Sequence, residues 1–187
     1  LIFSTSAGSR ADYWGNTACN DDEGNLYTGG TLFSQSGNGT PDFTGFPTSV
    51  GAFQTSFQGG GTDMGIMKFD SSGTSLLYST YLGGDGSEIP TSLVVDEKTK
   101  ELLILGTTGS ANFPIPDPVN SFDPVFSGSL PVLQAELVGG YEFSEGTDII
   151  LIRLSADGTS IINSTYLGGT GIDGINLNSS ELVNNYG

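Results

Sequence analysis

The side chains that could do chemistry in this sequence are almost all carboxylates. Its 187 residues include 21 Asp and Glu, no His and a single Cys. Without imidazole there is no His general base, no Ser-His-Asp triad and no His-based metal centre. One thiol, Cys19, leaves no internal disulfide framework and no Cys-cluster zinc site. Carboxylates can still bind hard cations through oxygen, or work in pairs on a glycosidic bond. Three places bring them forward. Residues 168–176 (GGTGIDGIN) fit the calcium nonapeptide GGxGxDxUx, with Asp173 at the acidic position. Residues 20–25 (NDDEGN) concentrate Asp21, Asp22 and Glu23. Asp63 and Asp148 each follow a Thr and open an apolar run.

Each has a plainer reading. In nonapeptide rolls the calcium lies between successive turns, so an isolated copy leaves it half-coordinated. The nearest relative of residues 168–176 is residues 83–91, which carry Glu88 at the Asp position and Pro90 at the apolar one. The expected role is a connection between repeats, with calcium as the alternative set aside. Residues 20–25 do not have EF-hand spacing, and Asp, Gly and Asn there suit a turn between strands. Asp63 and Asp148 occupy equivalent repeat positions, which favours strand-start or inter-repeat hydrogen bonding over catalysis. Tyr81 and Tyr166 also recur and are expected to pack between repeats. At an offset of 76, Cys19 falls on Val95 and Trp14 on Pro90. Cys19 therefore reads as a small buried position, and Trp14 as the one aromatic worth testing for ligand contact. Asn38, Asn163 and Asn178 head N-glycosylation sequons, which carry no meaning if the source is bacterial. No catalytic, cofactor-binding or metal-binding residue is assigned, and no cofactor is expected.

Composition narrows the partners. Five Lys and Arg against 21 acids give a net charge of −16. Five scattered cations make no basic stripe for nucleic acid, and an anionic membrane surface repels the chain. No apolar run approaches the ~20 residues that span a bilayer. The chain opens on LIFST without a signal-peptide pattern, and is expected to be the interior of something longer.

The elements that must position these residues come from a repeat. Residues 62–84 (TDMGIMKFDSSGTSLLYSTYLGG) align without a gap on residues 147–169 (TDIILIRLSADGTSIINSTYLGG) at an offset of 85, with 11 of 23 identical. LIFSTSAG at the start matches LLYSTYLG at an offset of 75, and NLYTGGT matches ELLILGT at 76. One period predicts four strands, at residues 92–96, 102–107, 148–154 and 160–167. The separating turns are EKTK, ADGT and its counterpart SSGT. Residues 34–61, rich in Gly, Ser, Thr and Pro, predict a long loop between strands 2 and 3. Residues 110–146 predict its longer counterpart. No segment shows a capped helical period.

Four antiparallel strands per repeat predict an all-β chain of β-propeller blades. About two and a half blades are expected. Residues 1–9 would be the last strand of a preceding blade, 10–84 and 85–169 two blades, and 170–187 the start of a further blade or a tail. A closed propeller needs about 4–8 blades, so the chain is expected to be a fragment or to close by oligomerisation. The segments YSTYLGG, DEGNLYTGG, FP…GAFQTSF and TDMGIMKFDSSGTSLLYSTYLGG resemble the bacterial SBBP (seven-bladed β-propeller) repeat. Residues 97–100 depart from its GN turn, and residues 112–143 expand its loop. The resemblance implies a propeller within a large secreted or cell-surface protein of the Bacteroidetes. Many of those carry a sorting domain for type IX secretion, and some are linked to gliding motility or adhesion. It carries over no catalytic motif.

The function expected is therefore a non-enzymatic, structural or adhesive module at the cell surface or outside it. Its partners would be the remaining blades of the parent chain, other surface or secretion-machinery proteins, or surface glycans. The alternative is a carbohydrate-active propeller hydrolase with carboxylates converging on the axis. That reading calls for unmatched acids on strands, whereas unmatched acids such as Glu136, Glu142 and Glu145 lie in a predicted loop.

Overall fold

The computed structural model describes residues 13–33, 45–116 and 147–167. The regular elements there are eight strands: β1 (Tyr13–Asn20), β2 (Leu26–Phe33), β3 (Thr62–Phe69), β4 (Leu76–Leu82), β5 (Glu88–Val95), β6 (Leu102–Thr108), β7 (Asp148–Leu154) and β8 (Ile161–Leu167). They form two four-stranded sheets in the orders β1-β2-β3-β4 and β5-β6-β7-β8, every pairing antiparallel. The fold is thus all-β and built from two copies of one sheet. The pieces expected at residues 1–9 and 170–187, and most of both long loops, lie outside the described residues.

Alternation explains the strands. β7 reads DIILIRL, and its burial alternates strictly, with Asp148, Ile150, Ile152 and Leu154 buried and the residues between them partly exposed. One face of the second sheet is therefore covered and the other is not. β3, by contrast, is buried along its whole length, because both faces of the first sheet are covered.

β5 begins at Glu88, four residues before the expected start at Ser92. Pro90 cannot donate to a strand ladder. Here it sits on an edge strand beside a bulge between Pro90 and Ser92, where a missing N–H is tolerated. The first sheet bulges at the same place, between Gly15 and Thr17.

The register also corrects the expected alignment of β1. Asn20 pairs with Leu26, whereas Val95 pairs with Leu102. The turn after Asp21 closes on Asn25, and the turn after Asp96 closes on Glu101, one residue longer. The offset is therefore 75 before the turn and 76 after it. Cys19 corresponds to Val94 and Trp14 to Ile89. Gly24 (φ 81°) closes the first turn in the left-handed region, and Lys100 (φ 59°) takes that conformation in the second.

The two sheets pack face to face. Tyr27, Met64, Ile66, Tyr78 and Leu82 of the first sheet share one buried cluster with Leu93, Leu102, Ile104, Ile150, Ile152 and Leu154 of the second. A second cluster on the far face of the first sheet joins Leu32, Met67, Phe69 and Tyr81 to Phe46 from the loop. The loop also reaches the neighbouring sheet, since Phe53 N–H donates to the Gly158 carbonyl at 3.1 Å. Both long loops leave from the end where β4 runs into β5, and the tight turns occupy the opposite end.

Candidate functional site

At the tight-turn end, residues 20–25 behave as a turn. Asp21 is buried, and its carboxylate accepts from the backbone N–H of Glu23 and Asn25, the Asn25 side chain and the Tyr27 hydroxyl, at 2.8–3.1 Å. Lys68 stands 3.8 Å away and lies over the Tyr27 ring. Burial alone would raise the Asp21 carboxyl. The hydrogen bonds from Asn25 and Tyr27, with Lys68, hold it below the usual carboxylate range. Its lone pairs are committed inside the protein, so the Asp21 carboxylate is not offered to a cation. The second sheet repeats the device with different residues. Arg153, at the position of Lys68, pairs with Asp96 (3.4 Å) and with Glu101. Lys100 bridges the two turns by pairing with Asp22 and Glu97. Among the described residues every cation, Lys68, Lys98, Lys100 and Arg153, stands at this end.

The long-loop end carries acids and no described cation. Asp63 starts on β3 and Glu88 opens β5, so they come from different sheets, and both are fully buried. They converge on Gly83. A methyl group there would lie 2.5 Å from Asp63 Oδ1 and 2.9 Å from Glu88 Oε2. Only a residue without a side chain fits between them, which is the physical reason for the first Gly of YLGG. Glu88 is fully engaged. Oε1 accepts from Thr108 (2.6 Å) and Ser110 (2.5 Å), and Oε2 accepts from Gly84 N–H (3.1 Å). Asp63 Oδ2 accepts from Gln58 N–H at 2.7 Å, while Oδ1 has no hydrogen-bond partner. Burial, reinforced by the Glu88 charge, pushes the Asp63 carboxyl up to about 8 against the pull of two backbone N–H groups. Burial also raises Glu88, and its three hydrogen bonds oppose this.

Two neighbouring carboxyl groups are what glycoside hydrolysis uses. These two present no surface to a sugar, so their position supports structural work at a junction between sheets. Among the described residues no group of three or more His, Cys, Asp or Glu is placed to hold a metal ion.

The other sequence candidates are placed as follows. Asp148 is buried at the start of β7, equivalent to Asp63. Tyr166 is buried between the sheets, and its hydroxyl donates to the Ser110 carbonyl at 2.7 Å. Tyr81 packs on Phe46 and Phe57. Cys19 is half-buried against the inter-sheet core, and burial raises its thiol further from the thiolate. Trp14 is 66% exposed and lies against Phe33 at a 58° tilt, with ring centroids 4.7 Å apart. Asn163 lies on β8; Asn38, Asn178 and residues 168–176 lie outside the described residues. So do Glu136, Glu142 and Glu145.

The pairing of Asp63 with Glu88 is not legible from motif reading. The offset of 75 places Tyr13, not an acid, at the Glu88 position of the first sheet, so the repeat does not announce it. The available signal was the nonapeptide comparison, where Glu88 stands at the acidic position. Fold and site together define an all-β repeat protein whose four-stranded sheets are joined by buried polar contacts. No protein-family model matches the chain, and no curated protein matches it either.

Proposed function

We propose that this chain is a non-enzymatic β-propeller module of a secreted or surface-displayed bacterial protein, with a structural or adhesive role. The observation that carries the reading is the packing of one repeated sheet on the next. Tyr27, Gly29, Met64 and Ile66 of the first sheet are buried beneath the second. Their counterparts in the second sheet, Leu103, Leu105, Ile149 and Leu151, form an apolar face of which Leu103 and Leu105 are exposed. Val94, opposite Leu103 in the ladder, is exposed there too. Apolar faces that recur in register are what a stack of blades uses to continue, and the natural partner is a further blade of the parent chain.

Recognition falls to the long loops. Both leave one end of the sheets, which suits a shared binding surface for proteins or glycans. Export by type IX secretion and a link to gliding or adhesion follow from the SBBP resemblance alone.

The test is to shorten the second loop and measure attachment. The cut must spare its first residues, because Phe113 is buried in the inter-sheet core and the Pro114 carbonyl accepts from Ser164. Replacing residues 117–143 by a short Gly-Ser linker should leave the melting temperature unchanged and reduce binding to surface partners or glycans. Unchanged binding refutes the loop as a recognition surface.

A further inference from the structure

We propose that Asp63 is held as a neutral acid beside an ionised Glu88, and that loss of the Asp63 proton loosens the junction between the two sheets. This pH-sensitive latch joins neighbouring sheets whether or not they belong to a closed propeller, so it stands apart from the proposed function.

The assignment of the proton follows from the hydrogen bonds. Both Glu88 oxygens accept from donors, which is the pattern of a carboxylate. Asp63 accepts from Gln58 N–H on Oδ2, with the Gly59 N–H beside the carboxyl, and its buried Oδ1 makes no hydrogen bond. With no donor to stabilise a negative charge on Oδ1, the proposed proton sits there. Two ionised carboxyls on either side of Gly83, out of water, would repel strongly. The charged and titratable groups facing the pair offer no relief. Asp85 lies on the β4–β5 connection, Tyr81 on β4 and Tyr166, which in turn faces Asp148 of β7, on β8, while Gln58, Thr108 and Ser110 are uncharged. The described cations are all at the opposite end.

The same place is where the sheets are stitched together. Thr62 hydroxyl donates to the Glu88 carbonyl (3.1 Å), and Gly61 N–H donates to Ser87 Oγ (3.1 Å). Repulsion between Asp63 and Glu88 acts directly across these bonds. A proton held more tightly by the folded chain than by the unfolded one favours folding most at low pH. That contribution fades as pH rises from the ordinary carboxylate range of ~4 toward about 8.

Asp63→Asn and Glu88→Gln separate the roles. Asn keeps the acceptor for Gln58 and places an uncharged N–H₂ where Asp63 carries its proton, so it imitates the latched state. Gln at position 88 loses an acceptor that Gly84, Thr108 or Ser110 needs. The measurement is chemical unfolding between pH 5 and 9 in EDTA, with and without added calcium. Relative to Asp63→Asn, the folding equilibrium constant of the wild type should fall by about tenfold for each pH unit between pH 5 and 7 and level off above about 8. Glu88→Gln should be less stable than wild type at pH 5. Infrared spectroscopy of the wild type should show a buried protonated carboxyl band at pH 7 that disappears by pH 9 and is absent from Asp63→Asn. Parallel pH profiles for wild type and Asp63→Asn, or no such band, overturn the proposal. So does stabilisation of the wild type by calcium that Asp63→Asn abolishes, which would make the pair a cation site.

Discussion

Ile104→Ala tests whether the two sheets are one cooperative body. Ile104 sits on β6 in the second sheet, 1% exposed, and its cluster includes Tyr27, Met64 and Ile66 of the first. Truncation removes three carbons from a packed interior and leaves a cavity that its neighbours fill only in part. Such changes cost about 2–5 kcal/mol, and about 3 kcal/mol is expected for a position this enclosed. For a chain of this length each kcal/mol lowers the melting temperature by about 2–4 °C, so the expected drop is about 6–12 °C. The assay uses the single Trp. Trp14 lies on β1 of the first sheet, tilted against Phe33, so its fluorescence reports the sheet that was not mutated. Far-ultraviolet circular dichroism reports all the strands. Both transitions should move down together by the same amount. A Trp14 transition that stays at its wild-type temperature would show the sheets unfolding independently, and would refute the claim that the shared core joins them.

Other consequences are open to measurement. Asp21→Ala should destabilise by about 2–3 kcal/mol, since charge-assisted hydrogen bonds are lost and Lys68 is left without its partner. The Asp21 carboxyl is held low in the folded chain, so its contribution is present above the ordinary carboxylate range and lost as pH falls through it. The acid limb of the wild-type stability curve should therefore be blunted in this variant. Gly83→Ala should cost about 1–3 kcal/mol in urea unfolding, because its methyl meets Asp63 at 2.5 Å and Glu88 at 2.9 Å. Leu103→Ser with Leu105→Ser should leave stability within about 0.5 kcal/mol per site. It should also lower any self-association seen by sedimentation, since both side chains stand on an exposed apolar face.

Much of the fold was legible because strand signals here are local. DIILIRL and ELLILGT are apolar, β-branched runs bounded by Asp-Gly or charged turns, and the repeat showed each twice. β6 and β7 fall within one residue of expectation. β5 did not, because Pro90 has opposite meanings inside a sheet and on its edge. Sequence cannot tell which strand is an edge until strand order is known. The alignment of Cys19 and Trp14 slipped for a similar reason. A turn lengthened by one residue is invisible in the apolar pattern, and only the ladder of paired backbones counts it.

Composition and repetition by themselves determined an all-β chain, four strands to a unit, an acidic surface and the absence of imidazole chemistry. These are properties of residue type and local spacing, which the chain carries whatever it touches. The tertiary structure decided which acids matter. Asp21, Asp22 and Glu23 looked alike as a cluster, yet only Asp21 is buried and its charge is matched by Lys68. Asp63 and Glu88 are 25 positions apart and belong to different sheets, with nothing to mark them as partners. They meet because one sheet packs on the next and Gly83 leaves the space. Burial then changes their chemistry, since a carboxylate removed from water and set beside another must give up its charge or strain the junction.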